Sequence, residues 1–217
     1  MNCSDDYRDY VFKDGELIGK FEEMYQNVED PWHQDGPRKI RYDMMLYLLN
    51  RYDVCSSRGG GIVLDIGCGK GAFTAKLRKG LNKGTKIIGI DIAPTAIQKA
   101  KEKYGGLGID FTVCDIEKEF EHLLLPSSGV DLIIMSEIMW YVLPTSKDIC
   151  KGIERYLKDE GYLLISHTFY PPGKQKYGKD IVSNIKDIFK LVSLPLVEMI
   201  ETNRFENHHA FCLFKKD

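Results

Sequence analysis

A short apolar run, Ile62-Val63-Leu64-Asp65-Ile66, leads straight into Gly67-Cys68-Gly69-Lys70-Gly71. No other feature of the chain restricts its fold so strongly. An apolar run of this length, bounded by glycine, predicts a buried strand. Glycines at alternate positions predict a sharp turn, because glycine enters left-handed backbone conformations freely and lets another group approach the main chain. Helical spacing from Gly71 to Lys79 follows, so the segment reads as the opening of a strand–turn–helix unit.

The alternation then repeats. Lys86 to Ile90 predicts a second buried strand, and Pro94 to Tyr104 a helix with proline in its first turn. Ile109 to Val113 and Val130 to Met135 predict the third and fourth strands. Thr145 to Leu157 predicts a helix, Gly161 to Ser166 a fifth strand, and Ile181 to Val192 another helix. Two closing strands, Leu196 to Thr202 and His209 to Phe214, flank a polar turn at Asn203 to Asn207 and must pair antiparallel. Continuously apolar strands alternating with helices imply a parallel sheet covered on both faces. The expected fold is α/β: a doubly wound, seven-stranded, mostly parallel sheet closed by a C-terminal antiparallel hairpin.

Ahead of the glycine turn, residues 1 to about 37 are polar and aromatic without a strong period, and Asp30-Pro31-Trp32-His33 marks a turn. Arg38 to Tyr52 carries an amphipathic helical stripe, and Ser56 to Gly61 reads as a flexible joint. The organisation expected is an N-terminal lid and helical segment, 1–57, and a ligand-binding domain, 58–217, forming one structural unit. A chain of 217 residues is short for two full domains. Its net charge of −2 supplies no general attraction to a phosphate backbone, so nucleic acid is not the expected partner. The six cysteines stand singly, and His208-His209 lacks companions at ligand spacing, so no metal is expected. The acidic start lacks a signal-peptide pattern, and no apolar run approaches the ~20 residues that span a bilayer. A cytoplasmic setting with free thiols and no membrane contact is expected.

The chemistry gathers at the strand ends. Asp65 stands two residues before Gly67, where an acid repels a pyrophosphate but suits an ammonium or sulfonium group. Dinucleotide loops place their last glycine later, as GxGxxG. Taken alone, the turn also fits a merely tight βα connection. Asp91 closes the second strand, positioned either to accept two ribose hydroxyls or to cap the next helix. Asp115 follows the third strand and suits an exocyclic amino group, although a lone aspartate there is usually a turn residue. Ligands of open α/β sheets bind at the carboxyl ends of the strands, which is where all three acids fall.

In order and spacing, Val63 to Gly71, Gly89-Ile90-Asp91-Ile92 and Cys114-Asp115 resemble the motif series of class I S-adenosylmethionine-dependent methyltransferases, over about Ile62 to Ser166. The resemblance implies a Rossmann-like fold. It implies that the glycine turn, with Asp65, Gly67, Cys68 and Gly69, takes the methionine part of the cofactor. Asp91, beside Ile92, takes the ribose, and Asp115, between Cys114 and Ile116, the adenine amine. Ser136 at the fourth strand end, Trp32 from the lid and Arg41 toward the cofactor carboxylate complete the expected cofactor contacts. Glu23-Met24-Tyr25, Asp30-Pro31-Trp32, Arg38-Lys39, Gly69 to Thr74 and Ser136 to Leu143 further resemble the NodS-like nodulation branch, which N-methylates an aminosugar in a chitin-like oligosaccharide. That branch tends to carry a Tyr-Tyr pair where this chain has Trp140-Tyr141.

Methyl transfer from a sulfonium is an in-line displacement, and a hydroxyl acceptor requires a base within reach. Glu137, Tyr141, His167 and Tyr170 follow the fourth and fifth strands and are the candidates. Glu137 also suits the cofactor's amino group, and His167 also suits an ordinary loop. The expected function is transfer of a methyl group to nitrogen or oxygen of a small molecule: a sugar, an aminosugar, or a phosphorylated or nucleotide-linked anionic metabolite. S-adenosylhomocysteine is then the product. The alternatives are an RNA or protein methyltransferase, a non-catalytic S-adenosylmethionine-binding module, and a dehydrogenase.

Overall fold

The computed structural model describes residues 6–34, 40–55, 60–119, 123, 125–204 and 207–217. Two tiny helices, α1 (Arg8–Val11) and α2 (Phe21–Asn27), flank a hairpin of β1 (Phe12–Lys13) and β2 (Glu16–Leu17). Then come α3 (Ile40–Arg51), β3 (Ile62–Ile66), α4 (Ala72–Gly80), β4 (Lys86–Asp91), α5 (Pro94–Tyr104), β5 (Ile109–Val113) and α6 (Ile116–Glu119). The chain continues with β6 (Val130–Ser136), α7 (Ser146–Tyr156), β7 (Leu157–Phe169), α8 (Ile185–Leu191), β8 (Leu196–Arg204) and β9 (Asn207–Lys215).

The main sheet has the order β5-β4-β3-β6-β7-β9-β8. Its first five strands are parallel, and β9 lies antiparallel to both β7 and β8. The expected doubly wound sheet and closing hairpin are therefore present, with the last strand inserted and β8 left at the edge. From β3 the connections run one way to β4 and β5, and from β6 the other way. A crevice thus opens between the carboxyl ends of β3 and β6, the position where such sheets take ligands.

Period-two alternation divides the core. Leu64, Ile66, Ile133, Met135, Leu163 and Ile165 pack with Ile149, Ile153 and Ile188 of α7 and α8. Val63, Leu132, Ile134 and Leu164 point to the other face and meet α3 and α4 through Met45, Leu48, Leu49, Phe73 and Leu77. A third cluster joins Tyr10, Val11, Met24 and Tyr25 to Ala93 and Ala96, so the N-terminal segment caps the start of α5. Among the described residues no helix is long and apolar enough to cross a membrane.

Several boundaries differ from expectation for physical reasons. The first 37 residues hold α1, α2 and a hairpin, elements too short to register as a period. The hairpin turns on Asp14-Gly15, both at positive φ (53° and 90°), the pair that a two-residue turn favours. Strand β7 runs beyond Ser166 because β9 pairs His167, Thr168 and Phe169 after β6 has ended. Helix α8 starts only at Ile185, where Asn184 and Asp187 form a reciprocal capping box. The expected Arg38 and Lys39 contacts and most of the joint at Ser56–Gly61 lie outside the described residues.

Candidate active site

A cavity of about 660 Å³ opens at the carboxyl ends of the parallel strands. Gly67 and Cys68 donate backbone N–H groups to the Ile90 carbonyl at 2.8 and 2.9 Å, which ties the glycine turn to β4. Gly67 has φ 71°, and a Cβ there would stand 2.1 Å from Ile138 Cγ2. Gly69 has φ 55°, and a Cβ there would stand 2.7 Å from Tyr25 Oη. Both positions require glycine, by backbone conformation and by neighbour.

Two carboxyls sit behind the turn. Asp65 is buried and accepts a hydrogen bond from Thr74 Oγ1 at 2.6 Å. Burial, with the charge of Asp91 adding to it, pushes its pKa up to about 7. Asp91 accepts from Gly69 N at 2.8 Å on one oxygen and from Ala93 N at 3.0 Å on the other. Burial pushes it up to about 6, against the pull of those backbone donors. Both carboxyls are raised by burial, and the charge of Asp91 adds to the rise at Asp65. A positively charged ligand relieves that arrangement.

The outer rim is more open. Ile92, Cys114, Asp115, Ile116 and Ser136 all line the cavity. Asp115 serves its own turn as well, accepting from Glu117 N at 3.0 Å and from Lys118 Nζ at 2.7 Å. On the cap side, Trp32 donates Nε1–H to Tyr25 Oη at 2.8 Å. Arg41 lies over the Tyr42 ring at 5.5 Å, and its buried Nε has no hydrogen-bond partner. An orphaned guanidinium N–H in the cavity wall fits an anionic group such as a carboxylate.

At the far end Glu137 adopts φ 62° and turns its half-buried carboxylate toward β7. Ser166 Oγ donates to one oxygen at 2.8 Å and Thr168 N to the other at 3.1 Å. Burial pushes Glu137 up, but the charge of Arg41 and the hydrogen bonds outweigh it, and the carboxyl ends below the usual range. Aromatic rings surround this end. Tyr141 contacts Phe21 at 5.1 Å, Trp32 at 5.7 Å and Phe12 at 6.4 Å between centroids, and burial raises its phenol pKa. Tyr170 is half-exposed beside Trp140, at 5.3 Å.

Of the residues expected from sequence, all but Gly69 and His167 line this one cavity. Gly69 lies behind it, against Tyr25 and Gln34. His167 is fully buried on β7, stacked 5.1 Å behind Trp140, with neither ring nitrogen hydrogen-bonded. Burial pulls its pKa down to about 4. Trp140 stands between this imidazole and the cavity, so the structure does not bring it to the acceptor. His208 and His209 are engaged by Glu201 and Thr168. Sequence reasoning missed Phe12, Gln34, Tyr42 and Tyr177, although the expected lid, Trp32 and Arg41 pointed to that side of the cavity.

Comparison with known proteins follows the same lines. Residues 57–210 match the family model described as a methyltransferase domain. The ubiquinone biosynthesis O-methyltransferase of Nitrosococcus oceani is 28% identical over 151 residues, which is 69% of this chain and 60% of that protein. This chain therefore spans less than two thirds of that relative's length. The N-methyltransferase NodS from Bradyrhizobium japonicum superposes with a TM-score of 0.64 at 20% identity, covering 86% of this chain and 98% of that one. The magnesium protoporphyrin IX methyltransferase from Synechocystis PCC 6803, solved with bound S-adenosylmethionine, gives 0.63 at 16% identity, covering 97% and 90%. With its glycine turn, strand-end acids and sheet order, the chain belongs to the family described as a methyltransferase domain, and its fold is that of the N-methyltransferase NodS.

Proposed function

We propose that the cavity binds S-adenosylmethionine with its methionine part at the glycine turn and beside Asp65, its carboxylate at Arg41, its ribose at Asp91 and Ile92, and its adenine among Cys114, Asp115 and Ile116. Ser136 borders the reactive end and Trp32 covers it. When bound, the cofactor supplies a methyl group activated on a sulfonium. The observation that carries this reading is the convergence of Asp65, Asp91 and the orphaned Arg41 Nε on one cavity, which suits a ligand bearing both a cation and a carboxylate.

The acceptor is a small molecule taken on nitrogen or oxygen. Glu137, held ionised by Ser166 and Thr168, accepts a proton from it or stabilises positive charge developing on it. Tyr141 and Tyr170 orient it, while the aromatic wall excludes water. A sugar, an aminosugar, or a phosphorylated or nucleotide-linked metabolite falls within that description, and the NodS likeness favours an aminosugar. Residues 1–57 form the lid and 58–217 the cofactor-binding domain. The setting is cytoplasmic, in keeping with the free thiols of Cys55, Cys68, Cys114, Cys150 and Cys212. The test is a methyl-transfer screen with labelled S-adenosylmethionine against aminosugars, nucleotide-sugars, phosphorylated metabolites and phenols. Transfer only to RNA or protein would overturn the small-molecule reading.

A further inference from the structure

Lys70 lies in the middle of the glycine turn, yet its side chain is only 7% exposed. Its Nζ donates to the Glu29 carbonyl at 2.8 Å and pairs with Asp30 Oδ1 at 3.1 Å. Its backbone N–H donates to Gln34 Oε1 at 3.2 Å, and Gln34 N in turn donates to Asp30 Oδ1 at 2.7 Å. The turn from Glu29 to Gln34 is therefore closed around one lysine. That same turn presents Pro31, Trp32 and Gln34 to the cavity.

A second attachment holds the cap further along. Thr95 donates its N–H and its hydroxyl to the two oxygens of Glu22, at 2.9 and 2.6 Å, and Lys99 Nζ donates to the Tyr25 carbonyl at 2.6 Å. Both attachments land beside cofactor-holding elements: the glycine turn, and the first turns of α5 just past Asp91. The Lys70 attachment is the more buried. Cap and glycine turn are also in direct contact there, since a Cβ on Gly69 would lie 2.9 Å from the Gln34 amide. A cofactor leaving past the glycine turn would have to part Gly69 from Gln34. A nearly buried ion pair is little screened by salt and is expensive to leave half-made.

We propose that Lys70 is a positioning residue that latches the Glu29–Gln34 turn over the bound cofactor, and that its pairing with Asp30 sets how long the cofactor stays. This function also accounts for Asp30-Pro31-Trp32: the aspartate takes the lysine, and the tryptophan is thereby held at the cavity. The inference rests on the cofactor placement proposed above.

The test uses S-adenosylhomocysteine as the probe, with calorimetry for affinity and stopped-flow tryptophan fluorescence for dissociation. Four variants are compared with the wild type: Lys70→Met, Lys70→Arg, Asp30→Asn and the Lys70→Met/Asp30→Asn double variant. Lys70→Met and Asp30→Asn are each expected to raise the dissociation rate about tenfold or more, the rate through which affinity changes usually act. The double variant is expected to add nothing further, as coupled residues do. Lys70→Arg is expected to recover most of the wild-type rate. A merely structural lysine would lower the melting temperature while leaving dissociation unchanged, and that result would overturn the latch. Should Lys70→Met fail to fold, Asp30→Asn and Lys70→Arg decide the matter by the same readout. A wild-type chain that binds no S-adenosylhomocysteine would instead overturn the cofactor placement itself.

Discussion

Asp65 and Asp91 carry an electrostatic cost that a cofactor in the proposed position would remove. Both have folded pKa values, about 7 and about 6, above those of an unfolded chain. Between about pH 4 and 7 the folded protein therefore holds more protons than the unfolded one. Their contribution to stability is full below about pH 4 and is lost as pH rises through 6 to 7. A cationic ligand favours the ionised forms. Binding of S-adenosylmethionine at pH 6.5 is expected to release protons and to weaken as pH falls from 8 to 5.5. Calorimetry in two buffers of different ionisation enthalpy reads this directly, and proton uptake would contradict the placement. At the acceptor end, Glu137→Gln keeps the shape and removes the charge. With a hydroxyl acceptor, turnover is expected to fall by about 10²–10⁴-fold at little change in S-adenosylhomocysteine affinity, the range that a general base supplies. At the turn, Gly67→Ala forces a Cβ against Ile138 at a left-handed φ. It is expected to cost about 2 kcal/mol or more in urea denaturation, from strain and overpacking together.

At the level of elements, what the sequence made legible depends on how local each cause is. The boundaries of β3, α5 and β5 followed from apolar runs, glycine and a first-turn proline, all signals within a few residues. The Asn184–Asp187 box and the Asp14-Gly15 turn were equally local but outweighed by neighbouring polar composition. Asn184→Ala is expected to cost about 1 kcal/mol, the usual value of a helix cap, measurable by thermal unfolding. A lid was expected, but its attachments were illegible for another reason. Lys70 meets Glu29 across 41 residues, and Thr95 meets Glu22 across 73. No periodicity announces such pairings. His167 shows the converse limit: its place along the strand was readable, but the inward side of that strand end depends on β9, which pairs it with Ala210.

Across the molecule, the strand order sets a division of labour. The β3, β4 and β5 ends carry the acids, and the β6 and β7 ends carry Glu137 and its donors. On the proposed placement, the cofactor half belongs to one winding of the sheet and the acceptor half to the other. S-adenosylhomocysteine at 100 times its dissociation constant is expected to stabilise the fold by about 2.7 kcal/mol, and NAD by nothing measurable. For a chain of this size that is a melting shift of roughly 5–10 °C. An NAD shift of equal size would point back to a dehydrogenase.

The insertion of β9 between β7 and β8 has a bearing on the order of assembly. Beyond Ser166, β7 has β9 as its sheet partner, and β8 reaches the sheet through β9. The cofactor half can pair its strands from residues 62 to 136 alone, with short connections, whereas the backing of Glu137 waits for a strand that begins about 40 residues after β7 ends. During refolding, amides of β3, β4 and β6 should gain protection before those of Thr168 and Phe169. A half-assembled chain would thus acquire its affinity for the cofactor before it acquires any capacity to spend the methyl group.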